Sequence, residues 1–291
     1  MAELPKISIV IPSYNGGKTL AAAIRSVLDQ DYPAKEVIVV DGGSKDDSAK
    51  IIRSFAPRLT WWVSEKDQGQ ADAINKGFAH ATGDVINWLC CDDELAPGAL
   101  RRVGTIFRDR ADVDVVLGVG SFIYHEKGDL RTVGVARPDA VEALPGICAI
   151  AQPSCFYRRS LAGRRATVVD AGLHYAMDLE LWAYFKSVGA RWEIISDVLS
   201  IAHISGENKT SVAGVKAARE YEDVYRRYVK ERVSLAFWYR TLLYPLDRFR
   251  GKRPSALRHG LTRAAKATIM VFLVPFYGLR RVRSINWSHH V

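Results

Sequence analysis

The chain has 291 residues, 48% hydrophobic and 25% charged, which suffices for a sizeable core and excludes a disordered or collagen-like chain. Four cysteines (Cys90, Cys91, Cys148 and Cys155) show no CxxC spacing; they read as buried thiols in a reducing compartment and argue against a disulfide framework. Net charge is +9, but from Arg226 onward fifteen Lys/Arg face only Glu231 and Asp247, so residues 226–291 carry +13 and residues 1–225 about −4.

The first fifteen residues, MAELPKISIVIPSYN, have no long apolar core before a small-residue cleavage site, so no signal peptide is expected. Residues 7–11 (ISIVI) are short, apolar and β-branched, which predicts a strand buried on both faces. Leu20, Ala23, Ile24, Val27 and Leu28 recur at helical spacing and predict an amphipathic helix over 18–29. Residues 37–40 (VIVV) predict a second buried strand ending at Asp41-Gly42-Gly43. Asp46 or Asp47 can then cap a helix through Phe55. A strand over 59–63 and a helix over 70–81 follow. Then come a strand over 85–89 and a helix over 97–108 with Pro near its first turn. Strand–helix repetition at this spacing implies an α/β domain with a mostly parallel sheet covered by helices on both faces. Ligands of such sheets bind beyond the carboxyl ends of the strands. Ser13-Tyr14-Asn15, Asp41, Asp67 and Asp92-Asp93 all fall at or just past those ends.

The pattern changes after residue 110. Strands are expected over 113–119 and 120–135, with a turn at Lys127-Gly128-Asp129. An extended piece over 148–157 is interrupted at Gln152-Pro153, and a helix is expected over 178–188. Short strands follow at 192–195 and 199–204. The tail holds two aromatic-rich apolar runs, 234–249 (SLAFWYRTLLYPLDRF) and 267–279 (ATIMVFLVPFYGL), flanked by Lys and Arg. The second is shorter than the roughly 20 residues of a spanning helix, and Pro275 interrupts it. This composition suits a segment lying on an anionic membrane surface, where each cation adds about 1 kcal/mol. Folding back on the body is the other reading. With no recognised nucleic-acid-binding module, nucleic acid is not expected as a partner.

The stretch NWLCCDDE (87–94) sets three carboxylates in a row at a strand tip. Adjacent carboxylates there suit a hard divalent cation, since Mg²⁺ takes one or two carboxylates and leaves other positions to phosphate. Asp92 and Asp93 could instead cap the turn before Pro97. There is no Walker A motif and no GxGxxG after the first strand, so a cation rather than a glycine loop would carry phosphate charge.

Two segments, IVIPSYNGGKTLAAAIRSVLDQDYPAKEVIVVDGGSKDDS and DQGQADAINKGFAHATGDVINWLCCDDELAPGAL, resemble the family-2 glycosyltransferases. The likeness spans about residues 6–210. It implies a GT-A type fold and an inverting, hexosyl-transferring enzyme that uses a nucleotide-sugar donor with Mg²⁺ or Mn²⁺. It also implies roles. Pro12, Ser13, Tyr14 and Asn15 form a first nucleotide-contacting loop, and Asp41 holds the base edge. Asp67 lies in a loop closing over the nucleoside, with Gln70 and Asn75 near it. Asp92 lies near the ribose and Asp93 ligates the metal, with His203 as a further ligand of metal or diphosphate. Where relatives often carry Asn-Ser, this chain has Cys90-Cys91, expected to pack rather than to bind metal. Asp178 resembles the base that takes the acceptor proton, with Glu180 as the fallback; a first-turn Asp favoured by the helix dipole is the plainer reading. Gln152, Pro153, Ser154, Trp182, Lys209 and Ser211 are expected at the acceptor or diphosphate.

The expected organisation is a catalytic domain over 1–225, with a donor half to about 110 and an acceptor half over 111–225. A basic helical, membrane-associating tail follows over 226–291. The expected role is transfer to a glycan or lipid-linked acceptor in cell-surface polysaccharide or glycoconjugate assembly, at the cytoplasmic face of the membrane. Two alternatives remain: transfer to a polyprenyl phosphate, and a non-catalytic nucleotide-sugar-binding scaffold.

Overall fold

The structure is a computed structural model describing residues 3–124, 129–131, 138–146, 148–204, 214–229, 235–238, 241–242, 246, 255–279 and 282. Strands β1 (Ile7–Ser13), β2 (Lys35–Asp41), β3 (Trp61–Ser64) and β4 (Val85–Trp88) are parallel and lie side by side in the order β3-β2-β1-β4. Helices α1 (Leu20–Leu28), α2 (Ser48–Phe55) and α3 (Gln70–Ala79) connect them.

The continuous apolar runs arise because both faces of these strands are covered. Ile7, Ile9, Ile11, Val37 and Val39 enter one core with Leu20, Ile24 and Val27 of α1 and with Val103 and Phe107 of α4 (Ala99–Asp109). Val10, Ile38 and Val40 enter the other with Ile74 and Phe78 of α3. Pro12 is tolerated at the end of an interior strand for a local reason. Val10 accepts the Leu89 N–H from the β4 side. Two residues on, the Pro12 nitrogen faces the same side, where β4 has already ended at Trp88.

Beyond β4 the sheet becomes mixed. β8 (Cys155–Arg158) is antiparallel to β4, β6 (Val115–Tyr124) is antiparallel to β8, and β9 (Trp192–Ile204) is parallel to β6. β5 (Asp93–Leu95) pairs antiparallel with β9, and β7 (Asp129–Arg131) with β6, completing nine strands. Among the described residues the other helices are α5 (Pro138–Glu142), α6 (Arg159–Ala162), α7 (Met177–Ser187), α8 (Gly214–Tyr228), α9 (Leu235–Trp238) and α10 (Ala256–Tyr277).

Several expected elements differ from those observed. The strands expected at 192–195 and 199–204 are one strand, β9. Its register against β6 slips between Leu117 and Gly120, and this irregularity produced the broken pattern. At that place a Cβ on Gly118 would lie 2.4 Å from Leu199 Cγ, so glycine lets the strands close. The strands expected over 113–119 and 120–135 run together as β6 across residue 120, with β7 after it, and part of 120–135 lies outside the described residues. Strand β5 was not expected, because three residues beginning with Asp-Glu carry no strand pattern of their own. Gln152–Ser154 is a 3₁₀ turn rather than extended chain. Cys155 alone of the four cysteines is fully buried, and among the described residues none of the four forms a disulfide.

The second apolar run of the tail belongs to a helix that starts eleven residues earlier and continues past Pro275 to Tyr277. One side of α10, with Leu273, Ile269, Met270, Val274 and Tyr277, packs with Trp238, Leu246 and Val282 in a small cluster of its own. The other side exposes Leu257, Leu261, Val271, Phe272 and Phe276, each by more than half. Among the described residues no helix is long and apolar enough to cross a membrane.

Candidate active site

The parallel strands end at one edge, and the loops leaving it are cross-linked. Asp41, at the end of β2, is fully buried. Its Oδ2 accepts from the Ser44 N–H (3.1 Å) and the Ser64 hydroxyl (2.7 Å), and its Oδ1 accepts from the Ser44 hydroxyl. Three of roughly four acceptor positions on the carboxylate are thus taken. Ser44 also accepts the Asn15 N–H at 2.7 Å, and the Asn15 Oδ1 accepts the Lys45 N–H at 2.9 Å. These bonds hold Asn15 at φ +52°, a left-handed geometry that Asn tolerates. Asp46 accepts from the Gly17 N–H and, one residue before the N-cap Asp47, from the Ser48 N–H that opens α2.

Asp67 lies against the same edge. A Cβ on Gly42 would come within 2.6 Å of its Oδ2, so the carboxylate occupies the place a side chain would need beside Asp41. Its Oδ1 accepts the Gly69 N–H at 2.9 Å, turning the chain into α3.

The acidic loop joins on through its two cysteines. Cys91 Sγ would lie 2.8 Å from a Cβ on Gly16, and it contacts Ser13 and the Tyr14 backbone N–H. Burial pushes its thiol up to about 11. Cys90 Sγ accepts from the Gln70 amide at 3.3 Å. Both cysteines pack against the cores, as expected from the sequence, and Cys90 also stands among possible ligands. Among the described residues one group of at least three such side chains, Cys90, Asp92 and Asp93, brings its donor atoms within 4.8 Å of one another. Burial first, then the neighbouring Asp92 charge, holds the Asp93 carboxyl well above the usual range, opposed by the His203 backbone N–H. The two carboxylates suit Mg²⁺ or Mn²⁺, both of which take oxygen ligands, with the softer Cys90 thiol beside them. The donor set therefore fits a divalent cation.

Several expected site residues are placed elsewhere. The His203 imidazole Nε2 lies 2.9 Å from Glu94 Oε1. Glu94 and His203 share one face of the β5–β9 ladder, whereas Asp93 pairs with Ala202 on the other. Asn75 spends its amide on the Val169 backbone, donating to the carbonyl (2.9 Å) and accepting the N–H (3.0 Å), so it is a strut. Trp182 is fully buried, stacked on Trp88 with ring centroids 6.0 Å apart, and cannot touch an acceptor. Pro153 and Ser154 are also buried, Ser154 bonding Val119 and Ser200. Gln152 donates to the Trp88 carbonyl (2.8 Å) and Asn87 (3.2 Å), pinning its turn beside the acidic loop. Pro12 and Ser13 are buried, whereas Tyr14 and Asn15 reach the surface. Lys209 and Ser211 lie outside the described residues.

Asp178 opens α7, with Oδ1 accepting the Leu179 N–H at 2.7 Å. Its charge is felt by Cys148 and by Cys155, which directly follows the Gln152 turn. Burial is the main reason both thiols sit above the usual range, and Asp178 adds to it. The fallback Glu180 points away, to Arg165 (2.8 Å) and the Tyr228 hydroxyl (2.5 Å). Sequence reasoning missed Ser44, Ser64 and Glu220; Ser44 lies three residues after Asp41 in the same turn, whereas nothing in the local pattern marks Ser64 as a partner of a carboxylate 23 residues before it. A shallow cleft of about 460 Å³ lined by Leu4, Pro5, Lys6, Ala34, Asp84 and Arg108 lies at the amino ends of the strands, away from these carboxylates.

A parallel half-sheet carrying acidic loops, continued by a mixed half, is the architecture of GT-A type glycosyltransferases. Solved structures of that type superpose on nearly the whole chain. One is Staphylococcus aureus TarS 1–349 (TM-score 0.61, 16% identity, 98% of this chain and 91% of that one). Another is the mannosyltransferase PcManGT of Pyrobaculum calidifontis in complex with GDP-Man and Mn²⁺ (TM-score 0.61, 18% identity, 99% and 89%). An uncharacterised glycosyltransferase of Rickettsia prowazekii (strain Madrid E) is 26% identical over 235 residues, 78% of this chain and 72% of the relative. The family described as Glycosyl transferase family 2 matches residues 8–162, and the chain belongs to it: it is a glycosyltransferase.

Proposed function

We propose that the protein is an inverting enzyme that moves a sugar from a nucleoside-diphosphate donor to the hydroxyl of a glycan or lipid-linked acceptor. The observation that carries this reading is the interlocking of Asp41, Asp67 and the Cys90–Asp93 loop at one sheet edge. Tyr14, Asn15 and Asp67 flank the nucleoside, and Asp41 holds the shape of their turn. Asp92 and Asp93, with Cys90 beside them, hold Mn²⁺ or Mg²⁺. When bound, that ion neutralises charge developing on the leaving diphosphate. Asp178 accepts the acceptor proton as the new C–O bond forms and the anomeric bond to diphosphate breaks. Its negative charge also favours the oxocarbenium character of the transition state. His203 pairs with Glu94 on the face of the ladder opposite Asp93 and is not assigned as a ligand.

The Gln152 turn, with two of its three residues buried, serves as a wedge between the acidic loop and α7. It does not discriminate a glycan from a polyprenyl phosphate acceptor. Against a non-catalytic scaffold stands the full set Asp41, Asp67, Asp93 and Asp178.

The division between body and tail falls after α8 rather than inside it, because Arg227 and Tyr228 still bond to Asp170 and Glu180. The tail is proposed to rest on the anionic cytoplasmic face of a membrane. The exposed apolar side of α10 would meet acyl chains, and Arg258, Arg263 and Lys266 would meet headgroups. A role in cell-surface glycoconjugate assembly would follow from that placement. The catalytic part is tested with Asp178→Asn. Donor affinity should stay within about twofold while transfer falls about 10²–10⁴-fold. Lost donor binding with unchanged turnover per bound donor would remove Asp178 from the role of base.

A further inference from the structure

Helix α7 starts without a cap of its own: Ala176 at its N-cap makes no side-chain bond. Exposed N–H groups at a helix start need acceptors. Of these the Ala176 N–H, together with the N–H groups of the two residues before the helix, finds one on a different helix: Glu220 of α8 turns a single oxygen, Oε2, toward the entering turn. That oxygen accepts the N–H groups of His174 (2.9 Å), Tyr175 (2.5 Å) and Ala176 (3.0 Å). Three backbone donors converging on one carboxylate oxygen form a charge-assisted cradle at the positive end of the helix. Asp178 follows two residues later, with Oδ1 on the Leu179 N–H.

This arrangement is not what holds α8 in place. Val224 and Tyr225 are buried, Tyr228 bonds Glu180 at 2.5 Å, and Arg227 bonds Asp170 at 2.6 Å. Glu220 instead fixes the turn 174–176, and so the direction in which α7 presents its first carboxylate. We propose that Glu220 is a positioning residue for Asp178, setting the carboxylate's place against the acceptor hydroxyl. The proposal rests on the reading of Asp178 as base. Both residues lie beyond the family match at 8–162, so the device belongs to the acceptor half of this chain.

The test uses the full chain and the nucleotide sugar that it turns over best among UDP- and GDP-sugars in Mn²⁺. Glu220→Ala should lower kcat about 10–100-fold, the scale of a base displaced by about an ångström, with donor KM within about twofold. Glu220→Gln keeps the shape and one acceptor oxygen, so it should fold even if the alanine variant does not, and should recover part of that loss. Tyr228→Phe loosens α8 without touching the turn and should stay within about twofold of wild type. Amide hydrogen exchange should quicken at 174–179 in the Glu220 variants and not along α8. In an Asp178→Asn background, Glu220→Gln should change the residual rate little. An unchanged kcat in Glu220→Gln and Glu220→Ala, or an equal loss with and without Asp178, would overturn the proposal. Normal transfer by Asp178→Asn alone would instead refute the base assignment, leaving the exchange result to show whether Glu220 caps α7.

Discussion

Glu36 shows how one residue at the far edge of the sheet supports the site without taking part in it. Burial alone would raise its carboxyl. Hydrogen bonds from Ser8, from the Thr82 hydroxyl and backbone, and from Lys6 outweigh this and bring it down to about 2. Because the folded value lies below the ordinary 4.5, the stabilisation is fully present above pH 4.5 and is lost as pH falls through about 2. The shift corresponds to about 3 kcal/mol at most. Glu36→Gln should therefore unfold at lower urea concentration at pH 7 and show a flatter stability profile between pH 4.5 and 2. Matching profiles for the two proteins would show that the carboxylate contributes nothing. Residues of this kind were hidden in the sequence, where Glu36 reads as an edge charge of VIVV. The acidic residues at the strand tips were legible because position alone gathers them. Trp182 and Asn75 were misplaced for the opposite reason: family position says nothing of whether a side chain turns inward.

At the scale of elements, the parallel half followed directly from apolar period and turn residues, and its boundaries moved by no more than two residues. The mixed half was less legible, since β5 borrows its pairing from β9 and the β6–β9 bulge splits one strand into two patterns. Packing between elements leaves a sharp test. A Cβ on Gly77 of α3 would sit 2.3 Å from Val10 Cγ1 of β1. Helix propensity would favour Gly77→Ala by up to about 1 kcal/mol, yet overpacking costs about 1–3 kcal/mol, so a net loss of stability is expected in denaturant unfolding. Val10→Ala in the same chain should recover part of it. A stabilised single variant would mean that α3 and β1 are further apart than described.

At the scale of the whole molecule, charge and apolar exposure separate at the same place. Beyond α8, residues 229–291 carry +11 against about −2 for residues 1–228, and α10 turns one apolar side outward. Truncation after residue 232 should abolish co-sedimentation with phosphatidylserine-containing vesicles, while donor binding persists. Equal sedimentation of the truncated chain would reject the tail as the anchor.

The central claim is that side chains from separate loops meet around one divalent cation that receives the donor diphosphate. Isothermal titration of the preferred nucleotide sugar, with and without Mn²⁺, tests it most directly when wild type and Asp93→Asn are compared. Mn²⁺ should tighten wild-type binding at least about tenfold, or about 1.4 kcal/mol, and this gain should vanish in Asp93→Asn. Metal-independent binding by wild type, or a full Mn²⁺ effect in the variant, would contradict it.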